Sequence, residues 1–202
     1  MRHRSLVLGL SAALLHGTAY ILYNQQTMDG NSAPNPVSWG IWASLAALNM
    51  MSFKEMAGLV KTLQFVVGTF GAIATFVITI AVGSTAWPAS WEWLIVALGI
   101  GSAIALFRFR NAPFANLLAL AGALIGGIPT MIGVWTDPSK ETPLAWILWV
   151  FAFVCTFINV LAMDDKERAQ QREKLKNFSW VPGFTAGSLL CLHSLVLVLC
   201  LR

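Results

Sequence analysis

Two histidines and two amide–hydroxyl pairs are the polar groups of this sequence that lie deep within apolar runs and could do chemistry there. His16 and His193 each fall about eleven residues into an apolar run. At a rise of roughly 1.5 Å per residue, both sit at a similar depth. An imidazole at that depth either packs as a neutral, hydrogen-bonded side chain or serves a pore or proton pathway. Asn49 and Ser52 recur 107 positions later as Thr156 and Asn159. Each pair sets one amide and one hydroxyl three residues apart on one helix face, in exchanged order. Such groups either line a polar cavity or act as hydrogen-bonding glue between helices. Trp39 and Trp42 recur at the same offset as Trp146 and Trp149, each pair behind a proline, Pro36 or Pro143.

Other chemistries lack their signatures. Cys155, Cys191 and Cys200 show no metal or redox spacing and read as inert thiols. There is no phosphate-binding glycine loop, no nucleophile–base pair and no metal cluster, so the expectation is neither an enzyme nor a cofactor-dependent protein. No feature points to nucleic acid. The apolar runs carry no Asp or Glu at their middles, which argues against a carboxylate proton relay. The last run has no lysine, which argues against a retinal protein.

The elements that must hold these groups follow from composition. The 202 residues are 57% hydrophobic and 11% charged, against about 25% charged in an average soluble domain. The expected partner is therefore a lipid bilayer. Seven apolar spans are expected, at about 5–23, 36–53, 62–83, 91–107, 113–135, 143–163 and 182–201. Each must be a helix, because lipid offers no partner to a free backbone N–H or C=O. The first run resembles a signal peptide, but its counterpart in the second copy favours a first span. The fold class is all-α and polytopic.

Charge sets the expected orientation. Eleven of the 13 Lys and Arg fall on one side: Arg2, Arg4, Lys54, Lys61, Arg108, Arg110, Lys166, Arg168, Arg172, Lys174 and Lys176. Lys140 and Arg202 fall on the other. The positive-inside rule then puts the N-terminus in the cytoplasm and the C-terminus outside, in a membrane of bacterial inner-membrane type. Eight tryptophans (Trp39, Trp42, Trp87, Trp91, Trp93, Trp135, Trp146 and Trp149) fall at the outer ends of spans, with Trp180 on the inner side. They read as an interfacial belt or, for the four repeated ones, as an aromatic vestibule. Asp164 to Asn177 reads as a solvated helical extension with acids early and bases late. Gly122 and Gly126 form a GxxxG pattern that lets helices approach. It is compatible with a homo-oligomer without requiring one.

The duplication groups the spans as three, one and three. Residues 1–88 form a first three-helix bundle, 89–110 a linker helix and 111–202 a second bundle, with the copies parallel. This layout resembles the SWEET sugar transporters and the wider PQ-loop superfamily, which includes nicotinamide riboside transporters. Ile128-Pro129-Thr130 looks like the family's proline–threonine, Asp137 to Leu144 like its polar connection, and Asn159 like its Leu-Asn segment. The chain departs at Gly17-Thr18, where a second proline would stand, and in its N-terminus, which SWEET proteins place outside. The resemblance implies a hinge at Pro129 and a facilitator of uniporter type that works by alternating access. The residues suit a neutral polar solute such as a sugar or nucleoside. The candidate solute-binding residues are Asn49, Ser52, Thr156 and Asn159, with His16 and His193 at the rim and Trp39, Trp42, Trp146 and Trp149 around them. The other reading is a membrane scaffold, sensor or partner-binding subunit that keeps the bundle but transports nothing.

Overall fold

The computed structural model describes residues 2–34, 36–82, 90 and 92–202. Asn35, Trp87 and Trp91 lie outside the described residues, as does the expected bundle boundary at 88. The described residues are helical without a strand. The helices are α1 (Arg2–Met28), α2 (Pro36–Ala57), α3 (Leu59–Ala81), α4 (Glu92–Phe107), α5 (Ala112–Gly126), α6 (Ile128–Thr136), α7 (Pro143–Leu161), α8 (Asp165–Leu175) and α9 (Val181–Cys200).

Prolines start many of these helices. Pro36 opens α2, and Pro113, Pro129, Pro143 and Pro182 lie in the first turns of α5, α6, α7 and α9. At that position the missing N–H has no helical partner to lose, and φ is already helical. Asn111 caps α5 by accepting from the Phe114 N–H at 3.1 Å. The expected span at 113–135 is one apolar segment, Ala112–Thr136, whose helix is interrupted at Gly127. Pro129 has no N–H to give the Ile125 carbonyl, and its ring crowds that turn. Gly58 alone joins α2 to α3, with φ 81°. That backbone conformation is strained for any residue with a Cβ.

Among the described residues, five segments are long and apolar enough to cross a membrane: His3–Met28, Leu59–Ala81, Ala112–Thr136, Pro143–Leu161 and Val181–Cys200. The stretch Trp93–Phe107 is apolar but shorter. In α2, Trp39, Trp42, Asn49, Ser52, Lys54 and Glu55 dilute the apolar run. The outward faces are those of an integral membrane protein. Leu14 is 72% exposed, Phe70 69% and Val198 63%, which water would not tolerate over so continuous a surface.

Six helices form a closed ring. In order of contact they are α1, α3, α2, α5, α9 and α7, with α7 returning to α1; α4 lies outside, against α5 and α2. Small residues allow close approach. A Cβ at Gly71 would lie 2.2 Å from the ring of Tyr20. Buried threonines of α3 satisfy their hydroxyls on the helix itself: Thr69 donates to Phe65 O at 2.8 Å and Thr79 to Thr75 O at 2.7 Å.

The two ends of the ring differ. At one end, Lys61 pairs with Glu167 at 3.1 Å, Lys174 donates to the Glu55 carbonyl, and Arg168 donates to Leu161 O at 3.2 Å. This basic end also gathers Arg4, Asp164 and Arg110 in shallow recesses. At the opposite end, the 3₁₀ turn Pro138–Lys140 and the connection after α1 meet. Arg202 also lies there, 4.2 Å above the Trp135 ring.

Candidate functional site

The ring encloses a cavity of about 90 Å³, to which all six of its helices contribute. α1 supplies His16 and Tyr20; α2 supplies Trp39, Trp42 and Asn49; α3 supplies Gln64 and Gly68. α5 contributes Ala123, α7 contributes Trp146, Trp149 and Phe153, and α9 contributes Leu189, Leu192 and His193. That volume holds several waters but is below the roughly 150 Å³ of an apolar cavity known to take benzene.

The four tryptophans shared by the two sequence copies all line this cavity. Trp93, Trp135 and Trp180 are more than half exposed and face outward, as interfacial indoles do. Trp149 is the centre of the aromatic wall. Its ring lies 5.1 Å from Tyr20, 5.4 Å from Tyr23, 4.9 Å from Trp146 and 5.9 Å from His193. Near-perpendicular contacts such as Trp146 on Trp149, at 73°, suit the ring quadrupoles.

Most polar atoms of the wall are engaged. Trp42 Nε1 donates to Ala123 O at 3.0 Å, and Trp146 Nε1 donates to Glu141 Oε2 at 3.1 Å. Trp149 Nε1 is different: it is buried and has no hydrogen-bond partner. An unpaired buried donor costs about 1–3 kcal/mol, so an acceptor entering the cavity would find this N–H unused.

The histidines stand in the cavity wall, where the sequence reading expects them at the rim. His16 Nδ1 lies 2.8 Å from Gln64 Nε2, and Gln64 Oε1 accepts from Thr156 Oγ1. If the Gln64 amide donates, His16 carries its proton on Nε2. His193 Nδ1 lies 2.7 Å from Leu189 O, and a carbonyl can only accept, so that nitrogen carries the proton. The two imidazoles flank Phe153, at 5.5 Å and 4.6 Å.

The four amide and hydroxyl candidates do not converge on the cavity. Asn49 reaches it, but Ser52, Thr156 and Asn159 do not line it. Ser52 turns its hydroxyl back to Leu48 O at 2.7 Å. Thr156 braces Gln64 from behind. Asn159 closes the α1–α7 contact at the basic end: Ser5 Oγ donates to Asn159 Oδ1 at 2.7 Å, and Asn159 Nδ2 donates to Ser5 O at 3.0 Å. Spacing fixes depth and face along one helix. It does not fix the rotation of that helix toward its neighbours, and here rotation directs three of the four into helix contacts.

Three functional groups escape the sequence reading. Gln64 and Asn116 are buried amides in apolar helices, the same signal that marks Asn49. Asn116 is a hub: Nδ2 donates to Asn49 Oδ1 at 3.0 Å and to Ser52 Oγ at 3.1 Å, while Oδ1 accepts from Thr185 Oγ1. The third is Glu141, which composition places in a polar loop. It is 7% exposed and accepts from Tyr23 Oη at 2.7 Å, Trp146 Nε1 at 3.1 Å and Ser32 Oγ at 3.4 Å. Burial pushes its carboxyl up to about 7, against the pull of these three hydrogen bonds. A carboxylate able to exchange a proton thus sits beside the cavity, although no span carries one at its middle. In the same loop, exposed Asp137 is held below its ordinary value, chiefly by the Ser139 hydroxyl that donates to it at 2.6 Å.

No family model matches the chain, and no curated protein or solved structure is significantly similar to it.

Proposed function

We propose that the protein is a small-molecule facilitator that moves a neutral polar solute, of sugar or nucleoside type, by alternating access. The observation that carries this reading is the unused Trp149 N–H in an aromatic cavity to which every helix of the ring contributes. A scaffold would have no need to keep a buried donor without a partner at the centre of its packing. Indole faces bind apolar ring surfaces, while the amides of Asn49 and Gln64 offer polar contacts.

In this reading α2 and α4 also cross the bilayer, giving seven spans in a 3+1+3 parallel repeat of SWEET and PQ-loop type. The 22 residues of α2 reach about 33 Å, enough for a hydrocarbon core of roughly 30 Å. The contact pattern supports the repeat. α1 packs on α7 as α2 packs on α5, which are equivalent pairs under exchange of the two copies. The amides follow the same exchange: Asn49 bonds α5 through Asn116, and Asn159 bonds α1 through Ser5. The interruption at Gly127 beside Pro129 would absorb the bend as the bundles rock. The basic end faces the cytoplasm of a bacterial inner membrane, and Arg202 lies outside.

Solute entry into proteoliposomes tests this, using a panel of radiolabelled sugars, nucleosides and amino acids. Saturable entry of at least one neutral solute, lost in Trp149→Ala, is the expected result. A folded, reconstituted protein that passes none of them would favour the scaffold reading instead.

A further inference from the structure

We propose that Glu141 is a proton-binding site that latches the end of the cavity opposite the basic end, closing it when the proton is bound and releasing it when the proton leaves. The proposal rests on the transport reading for its purpose and on the geometry of one loop for its substance.

Two connections meet at that end, one before each of the repeated proline–tryptophan helices. Their backbones touch where Ala33 N donates to Lys140 O at 3.3 Å. Ser32 Oγ lies 3.4 Å from both Lys140 O and Glu141 Oε2, and Thr142 donates to Gln26. Glu141 is the point where these contacts reach the cavity wall. Trp146, which bonds its Oε2, lines the cavity. Tyr23, which bonds its other oxygen, packs on Trp39 at 5.2 Å and on Trp149 at 5.4 Å. Opening this end must separate the two connections, and so must expose Glu141 to water.

Among the described residues, no cation is paired with the carboxylate. The titratable and charged groups around it come from its own loop, from α1 and from α9, whereas α7 presents only the Trp146 indole. Its own loop carries Lys140, whose carbonyl is what joins the latch, and exposed Asp137, already held by Ser139. α1 presents the Tyr23 hydroxyl. α9 presents the Cys200 thiol within electrostatic reach and, across the Trp146 ring, His193. Arg202 is occupied by the Trp135 carbonyl at 2.7 Å. Burial therefore favours the neutral acid in the closed state, while water favours the ion once the end opens.

Linkage then fixes the direction. The state with the higher proton affinity is the closed one, so acid closes this end and alkali opens it. The proton comes from solvent on that side and binds a carboxylate oxygen, giving the neutral acid. Tyr23 and Ser32 hydroxyls can each turn from donor to acceptor to receive the new O–H, whereas the indole of Trp146 can only donate and keeps its bond.

Hydrogen–deuterium exchange on the full chain in lipid nanodiscs tests the latch without any solute. Peptides covering Gly30 to Pro34 and Asp137 to Thr142 are followed at about pH 5.5 and about pH 8.5, after correction for intrinsic exchange. Exchange at the higher pH is expected to be faster on the order of tenfold. Glu141→Gln, a neutral mimic of the protonated acid, should keep the acid-state protection at both. Tyr23→Phe removes a bond that favours the ion, so its midpoint should move to higher pH, a shift that loss of packing alone would not produce. Equal protection of wild type at both pH values, or a Tyr23→Phe midpoint that stays put or falls, would overturn the proton site. A pH-dependent latch with no solute flux would overturn the transport reading alone, and flux through a pH-independent end would overturn the proton site alone.

Discussion

The side-chain amide of Asn116 donates to the side-chain oxygen of Asn49 at 3.0 Å, tying α5 to α2 at the cavity wall. The same nitrogen reaches Ser52, and the Asn116 oxygen accepts from Thr185. Three helices thus depend on one buried amide that does not itself line the cavity.

Asn116→Ala should therefore cost more stability than Asn159→Ala. Hydrogen bonds of this kind in membrane proteins average about 0.6 kcal/mol and reach about 1.7. Loss of the Asn116 hub should fall near the upper figure, and Asn159→Ala near the lower. Unfolding free energies in mixed micelles measure both. In a double-mutant cycle, Asn49→Ala and Asn116→Ala should be coupled; independent effects would show that the bond carries nothing.

Trp149→Phe separates binding from packing. Phenylalanine keeps an aromatic ring against Tyr20, Trp146 and His193 and removes an N–H that has no partner. Thermal stability should be unchanged or slightly higher, while affinity for a transported solute should fall roughly tenfold, the equivalent of about one hydrogen bond. Unchanged affinity would mean that the solute does not use this donor.

Glu141 also gives stability a pH dependence. Its value of about 7 in the folded chain lies above the ordinary 4.5, so between those values the folded protein holds more protons than the unfolded one. The stabilisation is complete below about pH 4.5 and is lost as pH rises through about 7, a total on the order of 3 kcal/mol. Melting temperature should fall over that window in wild type and be flatter in Glu141→Gln. A wild-type curve that rises there would contradict the burial of this carboxyl.

Two glycines give opposite expectations. At Gly71 a Cβ would lie 2.2 Å from the Tyr20 ring, so Gly71→Ala should destabilise by about 1–3 kcal/mol. At Gly133, inside α6, nothing lies within 4 Å, and alanine should stabilise the helix by about 0.5–1 kcal/mol. Melting curves of the two variants, run side by side, compare them directly.

In the orientation proposed above, a reporter fused after Arg202 should be active only outside the cytoplasm, the side that the charge asymmetry favours for it. Cytoplasmic activity would reverse the assignment of both ends.

Much of the fold was legible in the sequence because it rests on local rules. Long apolar runs must be helical in lipid, and Pro36 and Pro143 start helices whatever surrounds them. The acids and bases of residues 164–177 describe the exposed helix α8 by their order alone, and Asp164 caps it by accepting from Glu167 N at 2.7 Å. The repeated tryptophans likewise marked, by spacing, the residues that now share one cavity.

Tertiary structure decided what those residues face. Asn49 and Asn159 have the same chemistry and stand one helical turn apart at the 107-residue offset, on one helix face, yet one lines the cavity and the other seals α1 against α7. Helix rotation separates them, and rotation is set by packing against partners distant in sequence. Glu141 shows the limit most clearly. Between Lys140 and Thr142 it reads as a solvated loop acid. Only when Tyr23 and Ser32, more than a hundred residues away, fold over it does it become a buried carboxyl beside the cavity. A pKa is a property of surroundings, and surroundings come from the fold.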